Sequence, residues 1–483
     1  MIRRLYVYLV TFISLEIVLW GSIGLVRFFL SGANLGQETD SLAGALALLL
    51  VSAPVFGLHW WIAQRGANRD ITERSDRLRA IFLFGVLLST GIPAAQNAVA
   101  ALDRLFLQAF GVNSFWAIFG GTQTLTYNLV AILINLLAGG YFYWVARGDG
   151  LALAQEDASR ESPGQYSRAW IETRRLYRYL WLLYSLALVV AGIQQALLAV
   201  LTLWGTGDVE PWVHLSNGLA LLLLGVPLWW WLERMVRRSL NDPEERNSLL
   251  RLAVLYLVVF ISLAVTLTAA GVALYYALLF VLGAAPEGAA FLAEIALPIS
   301  LILPFGLLWL YEMRLLRRSI ASVAEWDAAN SEAETRPAKA SAGRSSWSGT
   351  AAGRRAGMQR LYGYFASLAG LTASFVGLAA LLDFLVTLAI DPASWSQPGQ
   401  KNSLAAGLAA MWVGFPLWIL SWRPLQAEAS LEGEAGDYAR RSPVRRDYLF
   451  LVLFASVLGV MISGGAQLFA LLQALFGSPA PDL

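Results

Sequence analysis

The sequence has no cysteine and only two histidines, His59 and His214, in 483 residues. The first absence excludes disulfides, thiolate-bound zinc, Cys-ligated iron–sulfur clusters and a cysteine nucleophile together. The second leaves no His-rich metal site and little scope for imidazole acid–base chemistry, so no metal and no cofactor is expected. Charge is scarce as well: Asp, Glu, Lys and Arg make up 14% of the chain, against about 25% in an ordinary soluble domain. Lysine is scarcer still, because Lys339 and Lys401 are the two non-arginine members of the 35 basic residues. Catalytic motifs are missing. No Gly-rich loop ends in Gly-Lys-Ser or Gly-Lys-Thr, no His-Glu-x-x-His or nucleophile elbow occurs, and no carboxylates cluster within an apolar run. The chain reads as a non-enzyme.

What is present is apolar. Hydrophobic residues are 57% of the chain and include 19 tryptophans, gathered into runs of about 20 residues or more, the length that crosses a bilayer core. The expected fold is therefore all-α: a polytopic membrane protein of about eleven transmembrane helices. The spans lie near 5–30, 41–61, 80–110, 125–145, 176–203, 215–231, 252–282, 291–311, 361–390, 403–422 and 448–476. Odd-numbered spans are the longer ones, which predicts that odd helices tilt or project beyond the bilayer.

Orientation follows from the arginines. The N-terminus and the loops at 62–79, 146–175, 232–251, 312–360 and 423–446 hold 31 of the 35 basic residues. By the positive-inside rule the N-terminus is cytoplasmic and the C-terminus external. The basic start Met1-Ile2-Arg3-Arg4 leads into an apolar stretch that is too long for a signal peptide and contains Glu16, so it reads as an uncleaved first helix. Because the chain has no native thiol, single cysteines at Asp208 and Arg246 are expected to label with an impermeant reagent from outside and inside respectively. Equal labelling of both in sealed cells overturns the topology.

Odd-numbered helices open on a recurring phrase: Arg3-Arg4-Leu5-Tyr6-Val7-Tyr8, Arg174-Arg175-Leu176-Tyr177-Arg178-Tyr179, Arg360-Leu361-Tyr362-Gly363-Tyr364 and Arg445-Arg446-Asp447-Tyr448. Seventeen residues after Arg4, Arg175 and Arg360 come Gly21, Gly192 and Gly377, and ten residues after Arg4, Arg175 and Arg446 come Ser14, Ser185 and Ser456. Even-numbered helices carry Pro54, Pro227, Pro304 and Pro416, each followed by tryptophan within a few residues; the fourth helix has Ala138-Gly139-Gly140 instead. The unit is a helix pair, and two pairs make a superunit. Arg4 with Tyr6, Arg175 with Tyr177, Arg360 with Tyr362 and Arg446 with Tyr448 are expected to anchor helix starts at the interface. The small residues Gly21, Gly24 and Gly192 are expected to permit close helix contact.

The expected organisation is a first four-helix unit at 1–147, a cytoplasmic linker at 148–173 and a second four-helix unit at 174–318. A disordered basic linker at 319–358 and a three-helix third unit at 359–483 complete the chain. On these motifs it resembles a bacterial integral-membrane family recorded as a domain of unknown function, which occurs as four-helix units in tandem. The resemblance implies bacterial origin and a repeated helical unit, and supplies no catalytic residues.

Polar residues in the hydrocarbon core are the natural candidates for chemistry. Arg27, Asp103, Arg104, Glu294 and Asp383 are expected at the outer interface, with their charged heads in water. Glu16 is different: twelve residues past Arg4, it is about 18 Å into the membrane. Asn135, ten residues into the fourth span, is a second midplane polar group and the expected hydrogen-bond partner of Glu16. Two functional readings follow. The first is a non-enzymatic structural, scaffold or partner-binding membrane protein, in contact with the bilayer and anionic inner-leaflet lipids and with a membrane-protein partner or a second copy. The alternative is a transporter or channel for a small or lipophilic solute, using a cavity near Glu16 and Asn135. No nucleic-acid partner is expected.

Overall fold

A computed structural model describes the chain apart from residues 1, 32–38, 114–116, 120–122, 160–165, 204–210, 242–244, 246–247, 287, 335–350 and 477–483, and apart from the side chains of 39, 289, 319–334, 351–356, 434–435, 470 and 474. Eleven helices among the described residues are long and apolar enough to cross a membrane. They are α1 (Ile2–Leu30), α2 (Thr39–Arg69), α3 (Arg77–Ala109), α4 (Leu125–Ala158), α5 (Arg168–Thr202), α6 (Pro211–Ser239), α7 (Leu249–Val281), α8 (Ala289–Glu334), α9 (Ala351–Ile390), α10 (Pro398–Ser430) and α11 (Pro443–Leu475). With no water in the hydrocarbon core, each apolar run satisfies its backbone groups internally, and the helix is the structure that does so. This is a multi-pass helical membrane protein.

The alternation of long and short spans carries over to the helices only in part. Even-numbered α2 and α4, with 31 and 34 residues, match α1 and α3 with 29 and 33, whereas α6 with 29 and α10 with 33 remain shorter than α5 with 35 and α9 with 40. The even-numbered helices continue as polar helix beyond the apolar run, α2 to Arg69 and α4 to Ala158. Hydropathy marks where a helix is in lipid, not where its hydrogen bonds stop. The same is true at 319–358: α8 continues to Glu334 and α9 begins at Ala351, and the part between, expected to be an unfolded linker, lies outside the described residues. The recurring prolines Pro54, Pro227, Pro304 and Pro416 all sit inside continuous helices.

The chain divides into two compact units, Met1–Arg251 with α1 to α6 and Leu252–Leu483 with α7 to α11. In the first, α1 packs on α2, α3 on α4 and α5 on α6, and α3 also touches α1, α5 and α6. It is the most buried span of the chain. Its core at one end joins Tyr8, Trp60, Phe82, Phe142 and Leu153. In the second unit, α9 and α10 form the closest pair, and Leu255 and Val259 of α7 pack with Leu316 of α8.

Small residues set the closest approaches. A Cβ added at Gly218 of α6 would lie 2.8 Å from the Ala196 nitrogen and 3.0 Å from the Gly192 carbonyl of α5. In α9 and α10, Gly377 faces Gly407 and Gly370 faces Gly414 in the same manner. Lipid offers no hydrophobic drive for two helices to associate, so backbone-to-backbone van der Waals contact takes that role.

Candidate functional site

The two midplane polar residues do not meet as expected. Glu16 on α1 is half-buried beside the Ser89 hydroxyl of α3, and its Oε1 is buried with no hydrogen-bond partner among the described residues. Asn135 of α4 is buried, and its Nδ2 donates to the Ala131 carbonyl at 2.8 Å within its own helix. No hydrogen bond joins the pair. A short amide side chain inside a helix can satisfy its donor on the preceding turn, and that local bond replaces the expected interhelical one.

Several groups expected in water at the outer end are instead part of the packing. Asp103 of α3 is fully buried; it accepts hydrogen bonds from the Ser216 hydroxyl of α6 and, at 2.8 Å, from the Ile118 backbone N–H. Arg27 donates to the Tyr127 carbonyl at 3.0 Å and lies over the Tyr127 ring at 5.5 Å, so it ties α1 to the start of α4. Glu294, by contrast, is exposed as expected, and accepts a hydrogen bond from Tyr276 at 2.6 Å. Rise per residue gives depth in the membrane, but not which face of the helix a side chain occupies.

The strongest constellation lies at the arginine-rich end. Arg4 donates to Glu73 at 2.7 Å and also pairs with Asp76, both beyond the end of α2. Arg175 and Arg178 of α5 share the buried Glu245 at 2.9 and 2.8 Å. Arg360 of α9 pairs with Glu428 of α10 at 2.5 Å and stacks on the Tyr438 ring at 4.8 Å. Each acid follows its arginine by 67 to 72 residues, so the same contact closes the same hairpin in all three copies. The second tyrosine of each phrase, Tyr8, Tyr179 or Tyr364, is buried four residues along. Within that end Asp70 caps the one-turn helix Ile71–Arg74, and hydrogen bonds from the Thr72 side chain and backbone N–H hold its carboxyl below the usual carboxylate range.

The expected anchors thus differ in placement. Arg4, Arg175 and Arg360 are ion-paired to acids of their own chain, whereas Arg446 is 70% exposed, with its own neighbour Asp447 at 3.9 Å. Tyr6 is exposed, Tyr177 and Tyr362 are half-buried, and Tyr448 is buried against Tyr364 and Trp422 with ring centroids 5.1 and 5.5 Å apart. An equivalent trio, Tyr8, Trp60 and Phe82, stands in the first unit.

A second polar centre escaped the sequence reading. Arg79 of α3 is 1% exposed and donates to Asp149 of α4 at 2.7 Å and to Gln64 of α2 at 2.6 Å, with its guanidinium 5.9 Å from the Trp60 ring centre. Arg74 adds a longer contact to Asp149 at 3.5 Å. Asp149 follows Arg79 by 70 residues, the same arginine-to-acid spacing as in the other hairpins, so that repeated spacing is the signal that finds this pair as well.

Helix α11 is the outlier in burial. Tyr448 holds its start, where its hydroxyl lies 2.9 Å from that of Ser367. From 453 to 469 every residue is exposed, and a Cβ at Gly459, Gly464 or Gly465 would meet nothing within 4 Å. Among the described residues no group of three or more His, Asp or Glu side chains is gathered as for a metal ion. The arrangement can hold helices together and present a surface.

Three stretches of the chain, residues 4–140, 175–307 and 360–483, match a family model described as a domain of unknown function (DUF5671). Each match begins at an arginine of the recurring phrase. No curated protein and no solved structure matches the chain.

Proposed function

The chain belongs to the DUF5671 family, a domain of unknown function that it carries three times in tandem, and from that premise we propose that it is a non-enzymatic membrane protein that binds a protein partner within the bilayer. The observation that carries this reading is α11. At the closest helix contacts Gly218, Gly225, Gly370, Gly377, Gly407 and Gly414 lie against a neighbouring backbone; on α11, Ser456, Gly459 and Ser463 fall on one face with open space around them. Glycine in a helix costs about 1 kcal/mol relative to alanine, and close contact with another helix is what offsets that cost. The proposed setting is the cytoplasmic membrane of a bacterium, with the arginine-rich end inside, against anionic lipids.

The test uses gentle extraction of the tagged, full-length protein into native lipid discs, followed by mass spectrometry of what accompanies it. A stoichiometric protein partner that is lost from the Gly459→Ile, Ser463→Ile double variant is the expected outcome. A disulfide dimer formed by Ser463→Cys, in this otherwise thiol-free chain, identifies a second copy as the partner. Extraction as a partner-free monomer overturns the proposal. The transporter reading is favoured instead if proteoliposomes show a pH-dependent flux that Glu16→Gln abolishes.

A further inference from the structure

Within the first compact unit, α3, α4, α5 and α6 line a half-open cavity of about 690 Å³ near the arginine-rich end. That is a size usual for a small-molecule site, about 300–1,000 Å³. Its walls are aromatic: Phe84 of α3, Trp170, Tyr177 and Trp181 of α5, and Trp231 of α6. The rings brace one another, since Phe84 lies 5.0 Å from Trp170 and 5.2 Å from Tyr177, centre to centre. Trp181 is seated over Gly91, where any Cβ would collide with its ring. The cavity is part of the packing and not a gap between loosely placed side chains.

Its polar lining has one sign. Arg147 of α4 and Arg174 and Arg178 of α5 face the space, and no carboxylate lines it. Arg178 shares Glu245 with Arg175, so one acid serves two cations there. Arg147 and Arg174 are exposed and make no ion pair among the described residues. The buried Trp181 indole N–H lies toward the Tyr177 hydroxyl on the same wall. Two guanidiniums outside any direct ion pair and an aromatic interior match a ligand with an anionic head and an apolar body. Guanidinium groups suit phosphate because they bind it in a bidentate manner. An entirely water-soluble anion would leave the aromatic walls without a partner.

We propose that this cavity is a binding site for an anionic phospholipid, with its phosphate held by Arg147 and Arg174 and its glycerol and first chain segments packed on Trp170, Trp181 and Trp231. The site stands apart from α11 and from the partner proposed to bind there, and its test does not depend on that partner.

The full-length protein, purified in detergent, is titrated with dioctanoyl phosphatidylglycerol and with dioctanoyl phosphatidylcholine, and bound lipid is counted by native mass spectrometry. The wild type is expected to retain the anionic lipid about tenfold or more over the zwitterionic one, and the Arg147→Gln, Arg174→Gln double variant is expected to lose that preference. Neither arginine is ion-paired, so the lipid-free variant keeps its melting temperature. Ala154→Phe narrows the cavity from an exposed lining position and is expected to weaken binding of the anionic lipid with every arginine in place. Equal retention of the two lipids by the wild type overturns the proposal, as does undiminished preference in the double variant. Displacement of the lipid by millimolar inorganic phosphate also overturns it, by reducing the site to a free-anion site.

Discussion

Replacing Asp149 with alanine is expected to destabilise the first unit by about 3–5 kcal/mol, the usual cost of leaving a buried charge without its partner. Arg79 is 1% exposed and held on three sides, by Asp149 at 2.7 Å, Gln64 at 2.6 Å and the Trp60 ring. Without the carboxylate the guanidinium has no other acid in contact among the described residues, and it is too deep to reach water without disturbing Trp60, Phe82 and Phe142. Thermal unfolding in detergent, followed by loss of monodisperse protein, reads the effect directly. The companion experiment separates charge from packing: Arg79→Met with Asp149→Leu removes both charges and is expected to recover most of the lost stability, because a well-packed apolar pair replaces an ion pair at little cost. If Asp149→Ala melts with the parent protein, the buried pair contributes nothing and the central role of α3 must rest on apolar contacts alone.

Gly370→Val is expected to be the most damaging single substitution in the second unit. The added Cβ would lie 2.5 Å from the Trp418 nitrogen and 2.9 Å from the Gly414 carbonyl. Both are backbone atoms, so no side chain can rotate away, and α9 and α10 must separate along their length. Overpacking typically costs about 1–3 kcal/mol; because the colliding atoms belong to two rigid helices, the upper part of that range is expected here. Gly459→Val on α11 is the control, since the space beside it is open, and it is expected to leave melting unchanged. Equal melting of the two variants would falsify the close-contact seam between α9 and α10.

The number and order of helices were legible because a bilayer permits few alternatives: an apolar run of the right length must become a helix. Helix ends were less legible. The polar continuation of α4 through Asp149 to Ala158 carries the charge that holds Arg79, yet in sequence it looks like the start of a loop. The repeat phrase was visible, but only half of its chemistry could be read. Arg4, Arg175 and Arg360 stand out beside their tyrosines, while Glu73, Glu245 and Glu428 lie in polar segments, where an acid resembles an ordinary solvated residue. Asp103 was misplaced for a different reason: counting along the helix addresses depth alone and ignores the face it shares with Ser216. Glu16 and Asn135 were matched by depth as well, and each turned out to have a nearer neighbour.

The hairpin ion pairs also bear on how the chain is made. Arg4 precedes its acids Glu73 and Asp76 by 69 and 72 residues; at synthesis rates of about 5–20 residues per second, that is a wait on the order of ten seconds. Each arginine therefore enters the membrane boundary uncompensated and is neutralised only when its own even-numbered helix has emerged. The pairing acts as a latch that closes once per repeat, in order from the N-terminus, so that a hairpin is secured before the next copy of the unit is complete.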